Sequence, residues 1–299
     1  MSNSLGGTVT KFTTRLDKIL EQETKTSFLN LNGDLLGEFT GVGEVKLPTL
    51  VTQGLGDYDR ANGFAPGDAT LTWATYALRY DRGREFSIDA MDDEEHELLV
   101  SANVMAEFAR TQVVPEVDAV RFALLAQGAG VTETEAITTA DGALAAVLLA
   151  EEHFESMGYD TSGLVLNLTA HMKSLLRQAQ PWRLVEGNSP DTRFATFDGM
   201  RLNVVPTNRF YSKIDLNDGT TEGQKGGGYA KASSGGKALN FIIAHPSAAV
   251  AIQKHERLRY FAPDVNQDKD AHKWQYRLFH DLIVYGKKAD LIYANIATA

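Results

Sequence analysis

The chain has 299 residues, 43% of them hydrophobic and 23% charged, with a formal net charge of −10 and no cysteine. This is the composition of an ordinary folded protein with one large or two modest domains. The missing cysteine excludes disulfides, thiolate metal sites and a cysteine nucleophile, and the acidic balance opposes non-specific attachment to nucleic acid unless basic residues are segregated.

Residues 1–26 are polar, with one short amphipathic candidate at Phe12–Leu20, and read as an arm lying across another surface. Ser27–Glu44 reads as strand and turn, with Leu29, Leu31, Leu35 and Leu36 around Asn32-Gly33-Asp34. A second strand starts at Val45 and dissolves into Gly54, Gly56, Asn62, Gly63, Pro66 and Gly67; Thr70–Leu78 then alternates with β-favouring residues. Two extended arms around a glycine-rich tip predict a hairpin reaching roughly 30–50 Å at ~3.3 Å per residue. A two-stranded ribbon of that length is not stable alone in water. It must lie on another surface, and the neighbouring sequence offers little to cover it.

Asp89–Gln127 predicts a long helix. Ser87 or Asp89 is the candidate cap, and the carboxylates Asp92–Glu95 load the first turn, where the macrodipole favours negative charge. Its apolar stripe runs Leu98, Ala102, Met105, Ala109, Val113, Val117, Val120, Leu124, in phase across Pro115. Pro115 removes a backbone hydrogen bond and predicts a bend or a break. Running through, the helix measures about 50 Å at ~1.5 Å per residue.

The middle of the chain predicts a compact α/β region: helix Ala140–Met157, buried strand Gly163–Leu168, helix Ala170–Gln180, and a hairpin over Phe194–Val205 turning at Asp198-Gly199. Lys213–Lys237 reads as a flexible glycine-rich insertion. Strands follow at Ala238–Ala244, Trp274–Tyr285 and Asp290–Ile296. Lysines and arginines cluster in the last fifth, from Lys254 to Lys288. They are interleaved with Glu256, Asp264, Asp268 and Asp281, which predicts a mixed solvated surface or ion pairs between subunits.

Little in the sequence points to catalysis. The run Gly226-Gly227-Gly228…Gly235-Gly236-Lys237 has Lys231 where a phosphate loop needs glycine and Ala238 where it needs a hydroxyl. No two histidines sit one helical turn apart beside a glutamate, as a His-Glu-x-x-His metal site requires. A helix start explains Asp92–Glu95 without acid–base chemistry. Asn167-Leu168-Thr169 matches the glycosylation triplet but ends an apolar strand, and is discarded. No stretch is apolar enough to span a bilayer, and the opening Met1–Gly7 has no signal pattern, so cytoplasmic synthesis is expected. An α/β enzyme with a site built from dispersed residues would need a deep pocket holding several histidines or carboxylates.

The order of these elements resembles the major capsid proteins of tailed bacteriophages, of the Hong-Kong-ninety-seven-type fold. The likeness is carried by Tyr80–Asp92 (Tyr-Asp-Arg-Gly-Arg-Glu-Phe-Ser-Ile-Asp-Ala-Met-Asp), by Met105–Phe122, by Phe261–Asp268 and by Tyr276–Tyr285. It covers nearly the whole chain, and its motifs are structural. The resemblance implies an α+β fold with an N-terminal arm (1–27) and an extended β-hairpin loop (45–84). It further implies a peripheral domain with a long spine helix (28–44, 85–131 and 257–299) and an axial domain (132–256). The implied function is a structural, non-enzymatic subunit without cofactor or metal, assembling into hexamers and pentamers of an icosahedral or prolate shell around double-stranded DNA. The implied partners are other copies of the chain, a scaffold, a portal, a maturation protease and possible decoration proteins, with only non-specific DNA contact and no membrane. The implied location is the virion, assembled in the host cytoplasm. The alternative is a bacterial nanocompartment shell of the same fold, enclosing a cargo enzyme.

Inter-subunit contacts are expected at Tyr58, Arg60, Phe64, Trp73, Arg82, Arg84, Glu94 and Glu95. Some members of that family link the extended loop to a neighbour through a lysine isopeptide bond. Here no lysine occurs between Leu47 and Glu85, and Lys46 lies at the loop's root, so cohesion without covalent links is expected. The chain opens close to the arm, so a separate scaffold or an already removed segment is expected.

Overall fold

A computed structural model describes residues 24–30, 44–60, 63–64, 66–89, 105–179, 184–186 and 195–298. Phe12–Leu20, the Asn32-Gly33-Asp34 turn and the acidic run Asp92–Glu95, with the expected contacts Glu94 and Glu95, lie outside the described residues.

A short 3-10 turn, Ser27–Leu29, stands where a strand was expected, and it buries Phe28 and Leu29. Strands β1 (Glu44–Thr52) and β2 (Ala69–Ala77) form the predicted antiparallel hairpin, with Leu50 opposite Leu71 and Pro48 opposite Trp73. Strand β3 (Tyr80–Asp89) leaves this ribbon and pairs along its length with β13 (Ala271–Val284), which in turn pairs with β12 (Ala249–Phe261). This corrects the helix cap: Ser87 lies opposite Lys273 and Asp89 opposite Ala271, so both belong to a strand. The alternation Tyr80, Arg82, Phe86, Ile88 sets a period of two that the acidic residues after it obscured in the sequence.

The spine runs from helical residues 105–108 through a π-helical turn, Ala109–Val113, into helix α1 (Val114–Gln127). Pro115 does not break it: the helix continues through Pro115 to Gln127, with the π-turn immediately before. Proline lacks the N–H that would reach the carbonyl four residues back, and its ring crowds that carbonyl. The π-turn directly before it, closed by Val114 N–H to the Ala109 carbonyl, absorbs this mismatch. The predicted stripe is buried in phase: Met105, Ala109, Val113 and Val117 pack on Leu258, Trp274, Tyr276 and Leu278 of the three-stranded sheet.

Strand β4 (Val131–Glu135), helix α2 (Ala140–Ser156), β5 (Val165–Thr169), helix α3 (Ala170–Ala179), β6 (Leu184–Glu186), β7 (Ala195–Phe197) and β8 (Met200–Val205) follow. Thr139 caps α2 by accepting from the Gly142 N–H. The β7–β8 turn falls where predicted, with both Asp198 and Gly199 at positive φ, the geometry of a tight hairpin. Strands β9 (Ile214–Leu216), β10 (Tyr229–Lys231), β11 (Leu239–Ala244) and β14 (Ile292–Ala297) complete the chain.

Seven strands form one sheet in the order β4-β14-β11-β5-β8-β7-β6. Its two faces divide by simple alternation. Val165, Ile242, Ala244, Ile292 and Ala294 join the core built on α1, Phe28 and Leu29. Leu166, Leu168, Phe241, Ile243 and Tyr293 join the core under α2 and α3. Asn167, within the discarded glycosylation triplet, is buried and donates to the Val165 and Ile242 carbonyls. The last part of the chain therefore serves two layers: β12 and β13 belong with β3 and the spine, β14 with the seven-stranded sheet.

The segment Lys213–Lys237 is not an unstructured insertion. It is a ribbon, β9 paired with β10, whose loop is tied by Asp218 accepting from the Thr220 and Thr221 N–H groups at 2.8 and 2.9 Å. The Thr221 hydroxyl, which also donates to Asp218, and then these backbone bonds pull the Asp218 carboxyl down to about 2. Gly236 is required by packing rather than by mobility, since a Cβ there would stand 2.8 Å from the Ala232 nitrogen.

A buried charge cluster pins the segment before the 3-10 turn to the spine. Asp118 accepts from the Lys25 and Thr26 N–H groups (3.0 and 3.2 Å), the Thr26 hydroxyl (2.8 Å) and Arg209 Nη1 (3.2 Å). Arg121 Nη1 donates to Thr26 Oγ1 at 3.1 Å and Asn30 Oδ1 at 3.0 Å. Burial pushes the Asp118 carboxyl up, opposed by these hydrogen bonds and by Arg121 and Arg209, and it pushes Arg121 down to about 10.

Candidate assembly interface

The root of the hairpin is anchored. Val45 and Leu47 are buried with Leu78 against Val250, Ile252 and Ile283. Beyond Leu47 the ribbon leaves the body; the whole nine-residue ladder, root included, is ~30 Å long. Gln53 and Asp68 close the ladder through two hydrogen bonds of 3.2 and 3.1 Å.

The tip is a small preformed wedge. Asp59 and Gly63 exchange backbone hydrogen bonds at 3.1 and 2.7 Å, with Gly63 at a φ of 83° that favours glycine. This turn brings the Tyr58 and Phe64 rings edge to face at 4.9 Å. Both stay outside the chain's own core, Tyr58 at 60% and Phe64 at 88% exposure, and Leu55 beside them is fully exposed. Trp73 (53%), Leu71 and Val51 add apolar surface along the arms. Apolar side chains held rigidly in water on a ribbon without a core mark a surface meant to be covered.

Tyr58, Phe64 and Trp73, expected at inter-subunit contacts, are exposed, and so is Arg60. Leu55, Val51 and Leu71 were missed; an apolar residue between two glycines (Gly54-Leu55-Gly56) was the available signal. Arg82 and Arg84 are on a different part of the molecule. Arg82 makes a two-point ion pair with Glu116 of α1 (2.6 and 3.2 Å) and donates to the Gly228 carbonyl at 3.4 Å. Arg84, exposed, donates to the Lys225 carbonyl at 3.1 Å. These two residues hold the β9–β10 ribbon against β3.

Between β3, the π-turn and that ribbon lies a cavity of about 220 Å³. Phe86, Phe108 and Tyr276 line it, with ring centroids 4.9 and 5.9 Å apart in sequence. Among its lining groups Glu116 pairs with Arg82, and Asp218 accepts from the Thr220 and Thr221 N–H groups. His280, also in the lining, is buried, stacked on Tyr80, and has no hydrogen-bond partner for Nδ1 among the described residues. No nucleophile and base face each other here, and among the described residues no three His, Asp or Glu side chains could hold a metal ion.

Burial, then Arg121 and Arg82, push the His280 ring down to about 3, so the folded protein holds it neutral while the unfolded chain takes up a proton below its ordinary value near 6.5. Stability attributable to this group is complete above that value and is lost as pH falls. The loss is about 2 kcal/mol by pH 5, at ~1.4 kcal/mol per pH unit. Urea denaturation at pH 7 and pH 5 checks this: His280→Phe flattens the difference, and an unchanged difference in that variant assigns the acid sensitivity elsewhere.

The basic cluster of the last fifth makes several ion pairs with acidic groups of its own chain. Lys273 reaches Asp268 and Glu85 (2.9 and 3.3 Å), and Arg277 reaches Asp81 (2.8 Å).

No protein-family model matches the sequence, and no curated protein matches it. Solved structures do. A chain in the capsid structure of the cyanophage P-SCSP1u aligns over 87% of this chain and 85% of its own, with a TM-score of 0.60 at 9% identity. A chain of the bacteriophage PhiM1 mature capsid aligns over 86% and 82%, with a TM-score of 0.57 at 12% identity. The virus-like particle from Pyrococcus furiosus aligns over 96% and 98%, with a TM-score of 0.51 at 8% identity. Hairpin, spine, three-stranded sheet and seven-stranded sheet together make up the fold that aligns with these chains. Specifically, the chain has the major capsid fold of tailed bacteriophages, an α+β architecture.

Proposed function

We propose that this chain is the major capsid protein of a tailed phage, assembling with copies of itself into hexamers and pentamers of a closed shell around double-stranded DNA. The observation that carries the reading is the ~30 Å ribbon with an uncovered apolar tip, in a fold whose solved neighbours include two phage capsids. Another subunit supplies the surface the ribbon needs. The absence of lysine between Leu47 and Glu85 supports cohesion without covalent links through this loop.

In this reading residues 1–27 form the arm and 45–84 the extended loop. Residues 28–44, 85–131 and 257–299 form the peripheral domain and residues 132–256 the axial domain, as expected from the sequence, except that we assign all of β12, from Ala249, to the peripheral domain and β14 to the axial one, because of the strands they pair with. The role is structural, without catalysis or a cofactor. DNA is held by confinement and counterions, as suits an acidic chain. A scaffold, a portal, a maturation protease and decoration proteins are the accessory partners, and the mature protein resides in the virion after assembly in the host cytoplasm.

Purified protein imaged by electron microscopy is expected to show capsomers or closed shells. Boiled in denaturant, these shells should run as one 32.7 kDa species. A stable monomer by light scattering under all assembly conditions, with and without scaffold, overturns the reading.

A nanocompartment shell is the second reading, favoured by near-complete mutual coverage with the Pyrococcus furiosus particle. The higher TM-scores of the two phage capsids favour the phage reading. Shells isolated from the source organism distinguish the two: packaged DNA supports the capsid, an enclosed enzyme the compartment.

A further inference from the structure

We propose that the cavity between β3, the π-turn and the β9–β10 ribbon receives the hairpin tip of a second copy of this chain. The proposal rests on the shell reading above and names the surface that answers the uncovered wedge. The tip's own cavity is not its seat, because Tyr58, Phe64 and Leu55 are exposed in the isolated subunit and the ribbon is held outward by its nine-residue ladder.

Three observations converge on this pairing. First, size: about 220 Å³ is smaller than the ~300–1,000 Å³ that houses a small-molecule ligand and suits one or two side chains entering from outside. Second, chemistry: the cavity wall is Phe86, Phe108 and Tyr276, already in edge-to-face contacts. A Tyr58–Phe64 wedge extends the same geometry by further ring pairs. Third, charge: Asp57 and Arg60 flank the wedge, while Arg84 and Asp218 flank the cavity. Arg84 has no carboxylate partner among the described residues and meets Asp57; Asp218 meets Arg60. Opposite signs on both sides fix the orientation of the tip and reject the reversed one.

The ribbon next to the cavity gains a role from this. Its contacts through Arg82 and Arg84 hold one wall of the cavity in place, so the glycine-rich segment shapes the seat rather than filling surface.

The test is a charge swap between subunits. Asp57→Arg alone and Arg84→Asp alone are each expected to lower the assembled fraction at least tenfold in sedimentation velocity. An equimolar mixture of the two single variants is expected to recover six-membered rings to within threefold of wild type, because alternating subunits restore matched pairs at every contact of an even ring; five-membered rings cannot alternate, so the double variant Asp57→Arg/Arg84→Asp is the one expected to restore closed shells. Rescue by mixing is beyond a variant that has merely failed to fold, and beyond a contact made within one chain. Wild-type assembly by either single variant, or failure of both the mixture and the double variant, overturns the proposed seat. If wild type forms shells and only the swap fails, the shell reading survives without this seat. If wild type does not assemble, both fall.

Discussion

Joining Gln53 to Gly67, with Gly54–Pro66 removed, is expected to abolish shells while leaving a folded subunit. The deleted segment contains Leu55, Tyr58 and Phe64, none of which is buried in its own chain, so its loss leaves every core intact. Complete burial of a large apolar side chain contributes ~1.5–3 kcal/mol. Three such residues per contact are therefore worth several kcal/mol, and 4 kcal/mol is close to a thousandfold in affinity. A lattice repeats each contact at every subunit, so assembly responds more steeply than a single pair does. Sedimentation velocity and micrographs should show monomers or small oligomers, with a melting temperature within a few degrees of wild type. Shells of normal size from this variant would show that the hairpin is not the overlapping element.

Asp118→Ala is expected to be the most damaging single substitution within the subunit. It removes the acceptor for two backbone N–H groups and the Thr26 hydroxyl, and leaves the buried Arg121 and the partly buried Arg209 without their carboxylate. Breaking one side of a buried charge cluster costs about 3–5 kcal/mol. For a chain of this size that lowers the melting temperature by roughly 10 °C. Asp118→Asn, which keeps one acceptor oxygen for Thr26, should fall between the two. The Lys25–Asn30 segment should become open to proteolysis in the alanine variant at temperatures where the rest is still folded. A melting temperature within 2 °C of wild type for Asp118→Ala would remove the cluster from the account of stability.

How far the sequence reveals this structure depends on whether local pattern and tertiary contact agree. The spine stripe was legible because Met105 to Leu124 keeps a helical period, and the Asp198-Gly199 turn because its backbone needs two positive φ values. Strand β12 was not: Gln253-Lys254-His255-Glu256-Arg257 carries no apolar alternation, and only pairing with β13 makes it extended. The same competition hid the true ends of β3, since Ser87 and Asp89 are good caps yet pair with Lys273 and Ala271. At the interface, the exposed tip could be read because apolar residues in a glycine-rich turn have no local partner. The cavity could not, because Phe86, Phe108 and Tyr276 come from three distant segments. Arg82 is the instructive case: expected at a subunit contact, it is engaged with Glu116 inside its own chain.

The position of β14 bears on when a subunit becomes able to associate. It lies between β4 and β11, and among the described residues β4 has no other neighbour in the sheet. Until residues 292–297 have been synthesised, β4 therefore has no strand to pair with, and the sheet has an open edge at β11. Closing it requires partners some 160 residues apart in sequence, a long-range step of the kind that slows folding. The subunit's apolar tip is made early and its body is completed late. Sheet closure thus separates folding from association in time.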